Sequence, residues 1–438
     1  MFKLARAAPA KRRADMMVEA ATRTDGDAPG TFGKRIMELA DQLAQWSESP
    51  DGLTCTYLSP AHRSVAADIG ELMRRAGLLT KVDAVANVIG RYPAREVAAR
   101  ALILASHYDT VRNAGKYDGR LGVLTALVVT EHLKQSGRRL PFHLDVIAFS
   151  EEEGVRFSSS FLGSCAVAGR FGSQLLELRD AGGVSLAAAM RAAGLDPGEI
   201  AALGRRREEL VGYLEVHIEQ GPVLLEEGLP VGIVSAIAGS VRMMITVTGT
   251  AGHAGTVPMA RRHDAAAAAA ELVLCVEKRC AQAPTLVGTV GQLAVPDGAI
   301  NIIPGRCELT LDVRAGDDAT RDAAVSDIMA EIGRIAVRRG VSFECREVQR
   351  TAAVRCSPRL QSVLADAVAR AGVKPRHLSS GAGHDAMMFD GLTETAMLFV
   401  RCGNGGVSHS PREIITAEDA DIAARIVLDA VLQLAEPP

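Results

Sequence analysis

Two mainly apolar runs, ALILASH at 101–107 and FHLDVIAFS at 142–150, constrain the fold of this 438-residue chain most strongly. Between them, residues 120–136 have the length and the pattern of a helix, which ends at Gly137. Two such strands joined by a helix are typical of a parallel sheet that is covered on both faces. We therefore predict an α/β fold with a mostly parallel sheet covered by helices.

The pattern changes near residue 223, where segments typical of antiparallel strands alternate with two long helical runs at 263–282 and 318–339. After about residue 343 the strand and helix pattern of the first part returns. An α+β domain inserted into a larger α/β domain explains this order. The predicted parts are an N-terminal tail at 1–32, a catalytic domain at 33–222 and 343–438, and the inserted domain at 223–342.

Composition excludes several classes of partner. The net charge is −3 and aromatic residues make up 4% of the chain, so neither nucleic acid nor an anionic membrane surface is an expected partner. No apolar run is long enough to span a bilayer, and the N-terminal segment lacks the apolar core of a secretory signal. The eight cysteines contain no C-x-x-C pair. We therefore expect a reduced cytoplasmic protein.

Histidines and carboxylates follow four of the predicted strands. In open α/β sheets ligands bind at the carboxyl ends of strands, and histidine with carboxylate suits Zn²⁺ or Mn²⁺. Taken singly, each histidine is more typical of a hydrogen-bonded polar residue, and the glutamate run of a solvated helix start. Taken together, they indicate a metal site, in which a shared carboxylate can bridge two ions. The residues are His107, Asp118, Glu151–Glu153, His217 and His409.

Longer motifs around these positions resemble a known family. The chain is similar to the aminoacylase/carbamoylase family of two-metal amidohydrolases, in particular to its branch of allantoate amidohydrolases and N-carbamoyl-L-amino-acid hydrolases. The similarity extends from about residue 33 to 435. The motifs are SHYDTVRNAGKYDG (106–119), FSEEEGVRF (149–157), LGSCAVAG (162–169), EVHIEQGPVLLEEG (215–228), GTAGHAGTVPMARRHDA (249–265), NIIPG (301–305), LDVR (311–314), SGAGHDAMMF (380–389) and GGVSHSPRE (405–413).

The resemblance implies a role for each residue of the site and two divalent ions, Zn or Mn, with Co or Ni also possible. Glu152 would be the general base that takes a proton from the attacking water and passes it to the leaving nitrogen. Asp109 would orient His107. Tyr108 and Cys165 depart from the residues usual in relatives, and neither is an expected ligand. The implied ligands are His107 and His217 on one ion, Asp118 as the bridge, and Glu153 and His409 on the other ion.

For the inserted domain, the resemblance implies a lid that is also the dimerisation domain of a homodimer. His253 would polarise the scissile carbonyl oxygen, and Asn301 and Arg314 would hold the substrate carboxylate. Gln220 would contact the ureido group, and His384 would face the substrate. Two simpler interpretations stay open at this stage, a strand-end salt bridge for Arg314 and a turn cap for His253.

The expected activity is hydrolysis of a ureido or N-carbamoyl C–N bond in a small carboxylate-bearing substrate, with release of ammonia and CO₂. Allantoate is the first choice, and N-carbamoyl-L-amino acids and β-ureidopropionate are close alternatives. An aminoacylase or dipeptidase on the same scaffold is a further alternative, although Gln220, Asn301 and Arg314 suit a carbamoyl substrate better. A non-catalytic relative is disfavoured by the complete set of ligand residues.

Overall fold

The computed structural model describes residues 30–436. Of the tail expected at 1–32, residues 1–29 lie outside the described part of the chain. Within residues 30–436, none of the helices combines the length and the apolar character needed to span a bilayer. The α-helices are α1 (Thr31–Ala44), α2 (Pro60–Arg75), α3 (Arg120–Gln135), α4 (Leu162–Val167), α5 (Leu186–Ala192), α6 (Val223–Glu227), α7 (Ala265–Cys280), α8 (Asp318–Arg339), α9 (Pro358–Arg370) and α10 (Ala417–Ala435).

The strands fall into a larger sheet, a smaller sheet and a two-stranded ribbon. Their bounds are β1 (Leu79–Val82), β2 (Val88–Tyr92), β3 (Ala101–His107), β4 (His143–Phe149), β5 (Leu210–Ile218), β6 (Val231–Ile237), β7 (Gly239–Thr248), β8 (Gly252–His253), β9 (Leu286–Thr289), β10 (Leu293–Ala294), β11 (Ile302–Ile303), β12 (Arg306–Ala315), β13 (Ser342–Thr351), β14 (Val354–Arg355), β15 (His377–Ser380) and β16 (Thr395–Val400).

Helix starts follow side-chain caps that the sequence supplies. Ser59 accepts a hydrogen bond from the backbone N–H of His62, and Pro60 takes the first position of α2, where no N–H donor is needed. Thr416 caps α10 in the same way, through the N–H of Asp419. These caps satisfy backbone donors that a helix leaves unpaired at its first turn.

The larger sheet has a parallel centre. Strands β4, β3, β5 and β16 lie side by side in that order, and each neighbouring pair is parallel. The antiparallel strands β2 and β1 complete the edge next to β4. Every residue of β3, β4 and β16 is buried, as expected for a sheet covered on both faces. The predicted α/β fold with a mostly parallel sheet is confirmed.

The chain divides into two compact units. The first comprises residues 30–233, 357–376 and 388–436, and the second comprises Val234–Cys356 and His377–Met387. The sequence predicts an insertion at 223–342. In the structure, the inserted part of the second unit, Val234–Cys356, begins and ends later than that range. Its later end follows from long-range pairing, because β13 runs antiparallel to β7 from Ser342 to Thr351 and so belongs to the sheet of the second unit.

In the second unit, an antiparallel sheet of β10, β12, β7 and β13, with β9 also paired to β12, carries a core that includes α7 and α8. Strand β12 shows the alternation expected for a sheet with one buried face. Leu309, Leu311 and Val313 are buried in that core, whereas Asp312 and Arg314 point to the other face and are half-buried. The outward face therefore carries the polar groups of this unit.

Candidate metal centre

The order of the parallel strands places the predicted ligands next to one another. His107 ends β3, the glutamates 151–153 follow β4, His217 lies near the end of β5, and the loop with His409 follows β16. Since β4, β3, β5 and β16 are neighbours and parallel, their carboxyl ends meet at the same edge of the sheet. Sheet topology thus gathers residues that are about three hundred positions apart in sequence.

Three ligand atoms form a triangle. The Nε2 atoms of His107 and His217 are 3.4 Å apart. The Oδ1 atom of Asp118 lies 3.5 Å from Nε2 of His107 and 3.2 Å from Nε2 of His217. Ligand atoms placed about 2.0–2.1 Å from a tetrahedral ion are separated by about 3.3 Å, so this triangle has the size of one face of such a site.

The other oxygen of Asp118 faces a second group. Its Oδ2 atom lies 3.3 Å from Nε2 of His409, and the same Nε2 lies 3.6 Å from Oε1 of Glu153. Asp118, Glu153 and His409 offer ligand atoms that all lie within 4.8 Å of one another. One carboxylate therefore takes part in both groups, which is the arrangement that a carboxylate bridging two ions requires.

Unpaired oxygens and shifted pKa values show that the cluster is suited to cations. Within residues 30–436, the buried Asp118 Oδ1 and Glu153 Oε1 atoms have no hydrogen-bond partner. Burial and the nearby charge of Asp118 raise the pKa of Glu153 to about 7. The hydrogen bond to Asp118 raises the pKa of His409 to about 9. Concentrated buried carboxylate charge of this kind would be neutralised by divalent cations, so the residues present fit a metal site.

Glu152 lies at the same cluster. Its Oε2 atom is 3.9 Å from Nε2 of His107, and its side chain is buried. His107, Glu152 and Glu153 form a further group whose ligand atoms lie within 4.8 Å of one another. Proximity alone does not separate a ligand from a general base here, so the base role of Glu152 stays a prediction.

Asp109 supports the glutamates through their backbone. Its two carboxylate oxygens accept the N–H groups of Glu152 at 3.1 Å and of Glu153 at 3.2 Å. The Nδ1 atom of His107 lies 3.7 Å from Oδ1 of Asp109, and closer, at 3.2 Å, to its backbone carbonyl oxygen. The sequence indicates only the contact with His107, because hydrogen bonds to a distant backbone leave no local pattern.

Gln220 also lies against the cluster. Its Nε2 group donates to Oδ2 of Asp118 at 2.7 Å. Its backbone has a φ of 56°, in the left-handed region that non-glycine residues seldom adopt. The structure therefore brings Gln220 together with the expected ligands Asp118 and His409, in a locally strained backbone conformation.

Two residues without an expected role complete this region. Glu413 is buried and accepts hydrogen bonds from the backbone N–H groups of Tyr117 and Asp118. Ser408 lies within hydrogen-bond distance of both Asp118 and Glu413. The only sequence signal for them is their place in the GGVSHSPRE motif, and that motif does not show what their side chains contact.

The remaining predicted residues belong to the second unit and form two groups there. The ribbon of β8 and β11 pairs Ile302 with His253, and the N–H of Ala254 donates to the carbonyl of Asn301, so His253 and Asn301 lie close together. Both of their side chains are exposed. The Nδ1 atom of His253 accepts the N–H of Gly255, in agreement with the turn-capping interpretation.

Arg314 and His384 are linked through one turn of the second unit. The Nη1 group of Arg314 donates to the carbonyl of Gly381 at 2.9 Å, and the buried Nε2 atom of His384 lies 2.8 Å from Oγ of Ser380. The Nε and Nη2 groups of Arg314 also donate to the two oxygens of Asp312. The salt bridge considered for Arg314 is therefore present, and among the contacts within residues 30–436 two N–H groups of the guanidinium remain for another acceptor.

Comparison with known proteins identifies the family. The model of peptidase family M20/M25/M40 matches residues 103–433. The chain is 39% identical over 405 residues to an N-carbamoyl-L-amino acid amidohydrolase of Geobacillus stearothermophilus, covering 92% of this chain and 99% of the relative. It is also 39% identical over 419 residues to an allantoate deiminase of Arabidopsis thaliana, covering 89% and 80% of the two chains.

A solved structure supports the same family assignment as the sequence relatives. An amidase of the hydantoinase/carbamoylase family from Burkholderia multivorans superposes with a TM-score of 0.87 at 31% sequence identity, over 93% of this chain and 98% of that chain. The resemblance inferred from the motifs is confirmed. The chain therefore belongs to peptidase family M20/M25/M40, in which its relatives include carbamoylases and allantoate deiminases.

Proposed function

We propose that this protein hydrolyses a ureido or N-carbamoyl C–N bond in a small substrate that bears a carboxylate, with two divalent metal ions as cofactors. The observation that carries the proposal is the position of Asp118, whose two oxygens face two different groups of ligand atoms. The names of the relatives support the substrate class, because they act on N-carbamoyl-L-amino acids or on allantoate.

The ions have separate protein ligands in this proposal. His107 and His217 would hold one ion, Glu153 and His409 would hold the other, and Asp118 would contribute to both sites. Zn²⁺ or Mn²⁺ is the preferred ion, and Co²⁺ or Ni²⁺ also suits imidazole and carboxylate ligands. When bound, such ions lower the pKa of water and polarise a carbonyl oxygen.

The side chains around the ions then move the proton and hold the substrate. Glu152 accepts a proton from the attacking water and delivers it to the leaving nitrogen. Gln220 contacts the ureido group, and His253 stabilises the charge that develops on the carbonyl oxygen. Asn301, Arg314 and His384 bind the rest of the substrate, with the guanidinium on the carboxylate.

Allantoate is the first substrate that we propose, with release of ammonia and CO₂. N-carbamoyl-L-amino acids are the second candidate, because the relative from Geobacillus is as similar to this chain as the plant allantoate deiminase is. β-Ureidopropionate belongs to the same chemical class. An aminoacylase or dipeptidase activity would require a substrate without the terminal amide nitrogen that Gln220 is proposed to contact.

We also propose a cytoplasmic homodimer that associates through the second unit. The second unit exposes apolar side chains that favour association there, including Val287, Leu293 and Ile300. The eight cysteines are all free thiols, which fits a reducing compartment.

A metal-stripped sample tests the proposal directly. The protein is treated with a chelator, reloaded with Mn²⁺ or Zn²⁺, and assayed with allantoate, N-carbamoyl-L-amino acids, β-ureidopropionate, an N-acetyl amino acid and a dipeptide. We expect ammonia release from the carbamoyl or ureido substrates only after reloading. The proposal is wrong if no ammonia is released after reloading with either Mn²⁺ or Zn²⁺. It is also wrong if only the N-acetyl amino acid or the dipeptide is cleaved.

A matched pair of histidine variants controls the metal assignment. His217→Ala removes a buried atom of the triangle, whereas His377→Ala removes an exposed histidine of β15. Metal content measured by elemental analysis should fall in the first variant and match the wild type in the second. Equal metal content in both variants would contradict the proposed ligand set.

A further inference from the structure

The turn that carries Asp118 and the loop that carries His409 meet at one buried carboxylate, Glu413. Its Oε1 atom accepts the backbone N–H of Tyr117 at 2.9 Å and of Asp118 at 3.1 Å. Its side chain is 3% exposed. These two hydrogen bonds satisfy buried backbone donors and restrain the backbone at the residue proposed to bridge the ions.

The second oxygen of Glu413 reaches the side chain of Asp118 through Ser408. The Oγ atom of Ser408 lies 3.0 Å from Oε2 of Glu413 and 2.6 Å from Oδ2 of Asp118. Ser408 directly precedes His409, so the same hydroxyl links the two parts of the site. Glu413 thus contacts the backbone of Asp118 directly and its carboxylate through one intervening side chain.

Gly115 provides an independent sign that the fold makes room for the Glu413 side chain at this position. A Cβ atom placed on Gly115 would lie 2.3 Å from Cδ and from Oε1 of Glu413. No real Cβ makes so close a contact, so any larger residue at 115 would displace the Glu413 side chain. The turn before Asp118 therefore leaves space for this one group.

We propose that Glu413 is a positioning residue that fixes Asp118 and the His409 loop and thereby sets the affinity for the metal ions. The inference rests on the proposed function, because it assumes that Asp118 and His409 are ligands. Residues that hold metal ligands in place commonly change metal affinity about 10- to 100-fold when they are replaced. A role in stability alone would leave that affinity unchanged.

Glutamine and alanine at position 413 separate the two roles. A glutamine can accept both backbone N–H groups with its oxygen and donate from its amide to Ser408, which keeps its own hydrogen for Asp118. Alanine leaves the N–H groups of Tyr117 and Asp118 buried without an acceptor. Glu413→Gln should therefore preserve the positions of the ligands, and Glu413→Ala should not.

Asp421 offers a matched control. Its Oδ1 atom accepts two successive backbone N–H groups, from Phe32 at 2.9 Å and from Gly33 at 3.1 Å, and its side chain is 8% exposed. It therefore has the same kind of structural contact as Glu413, at a place that holds no proposed ligand. Asp421→Ala should lower the melting temperature without changing metal affinity.

The experiment measures Zn²⁺ binding to the metal-stripped protein by isothermal titration calorimetry, together with thermal unfolding. We expect two ions in the wild type, about 10- to 100-fold weaker binding in Glu413→Ala, and an affinity within about threefold of the wild type in Glu413→Gln. Ser408→Ala is the milder variant, for use if Glu413→Ala does not fold. It should weaken binding in the same direction.

The results distinguish this inference from the proposed function. If the wild type binds neither Zn²⁺ nor, in the same titration, Mn²⁺, both are wrong. If the wild type binds two ions and Glu413→Ala or Ser408→Ala binds them equally well, only the positioning role is wrong. The positioning role is also contradicted if Asp421→Ala weakens Zn²⁺ binding as much as Glu413→Ala does.

Discussion

The Oδ1 atom of Asp109 accepts a hydrogen bond from the backbone N–H of Glu152 at 3.1 Å. The other carboxylate oxygen accepts the N–H of Glu153 at 3.2 Å, so one side chain holds two consecutive glutamates. Because Asp109 follows β3 and the glutamates follow β4, this contact joins two strand ends at the cluster. Asp109 therefore positions the backbone of Glu152 and Glu153 in addition to contacting His107.

Replacing Asp109 by alanine should reduce kcat/KM by about 10- to 100-fold and also reduce metal content. The reason is that the backbone of both Glu152 and Glu153 would lose its acceptor. Ammonia release and elemental analysis measure the two effects. The control is Asp421→Ala, because Asp421 also accepts two backbone N–H groups, those of Phe32 and Gly33. Equal losses in both variants would contradict a specific role for Asp109.

Replacing Glu152 by glutamine should leave metal content unchanged and reduce kcat by about 10²- to 10⁴-fold, because glutamine cannot accept and deliver the proton. Metal analysis and single-substrate kinetics test the prediction. Glu153→Gln is the comparison, and it should lose metal as well as activity. Wild-type turnover in Glu152→Gln would rule out the base role, whereas loss of metal from this variant would indicate that Glu152 is a ligand.

His62 makes stability depend on pH. Burial, with the positive charges of Arg120 and Arg156, lowers the pKa of His62 to about 3. The unfolded chain takes up this proton near the usual pKa of about 6.5. Between these two values the unfolded state binds more protons, so the free energy of unfolding falls as the pH falls, by up to about 1.4 kcal/mol per pH unit.

Urea denaturation of the wild type and of His62→Phe between pH 6.5 and pH 4 isolates this contribution, because the other titrating groups are common to both proteins. We expect a shallower pH dependence of the free energy of unfolding in the variant. The control is His377→Phe, at an exposed position. The same slope in His62→Phe and the wild type would show that His62 does not contribute.

Replacing Arg314 by lysine should raise KM by about tenfold or more and change kcat less. Lysine cannot pair with both oxygens of Asp312 and still present two parallel N–H donors to a carboxylate. Steady-state kinetics with the substrate found in the panel measure the two constants. Arg346→Lys, on the exposed strand β13 of the same unit, is the control. An unchanged KM in Arg314→Lys would mean that its pairing with Asp312 is purely structural.

Local sequence patterns predict the main strands and helices and the positions of several residues of the candidate metal centre. The apolar runs at β3 and β4 are buried strands, and the helix between them is α3. The motifs were long enough to indicate the family, which the comparisons confirm. Their order also singled out strand-end residues such as His107 and His217, which the structure brings together.

Sheet order and long-range contacts were decided by the tertiary structure alone. Asp118 and Glu413 are 295 residues apart in sequence, and their hydrogen bond exists only because β3, β5 and β16 are neighbours. The position at which the inserted part of the second unit ends likewise follows from the pairing of β13 with β7. Periodicity and capping depend on residues a few positions apart, so the sequence determines them locally. Strand pairing and buried carboxylate contacts depend on distant partners, and only the folded chain brings those partners within hydrogen-bond distance.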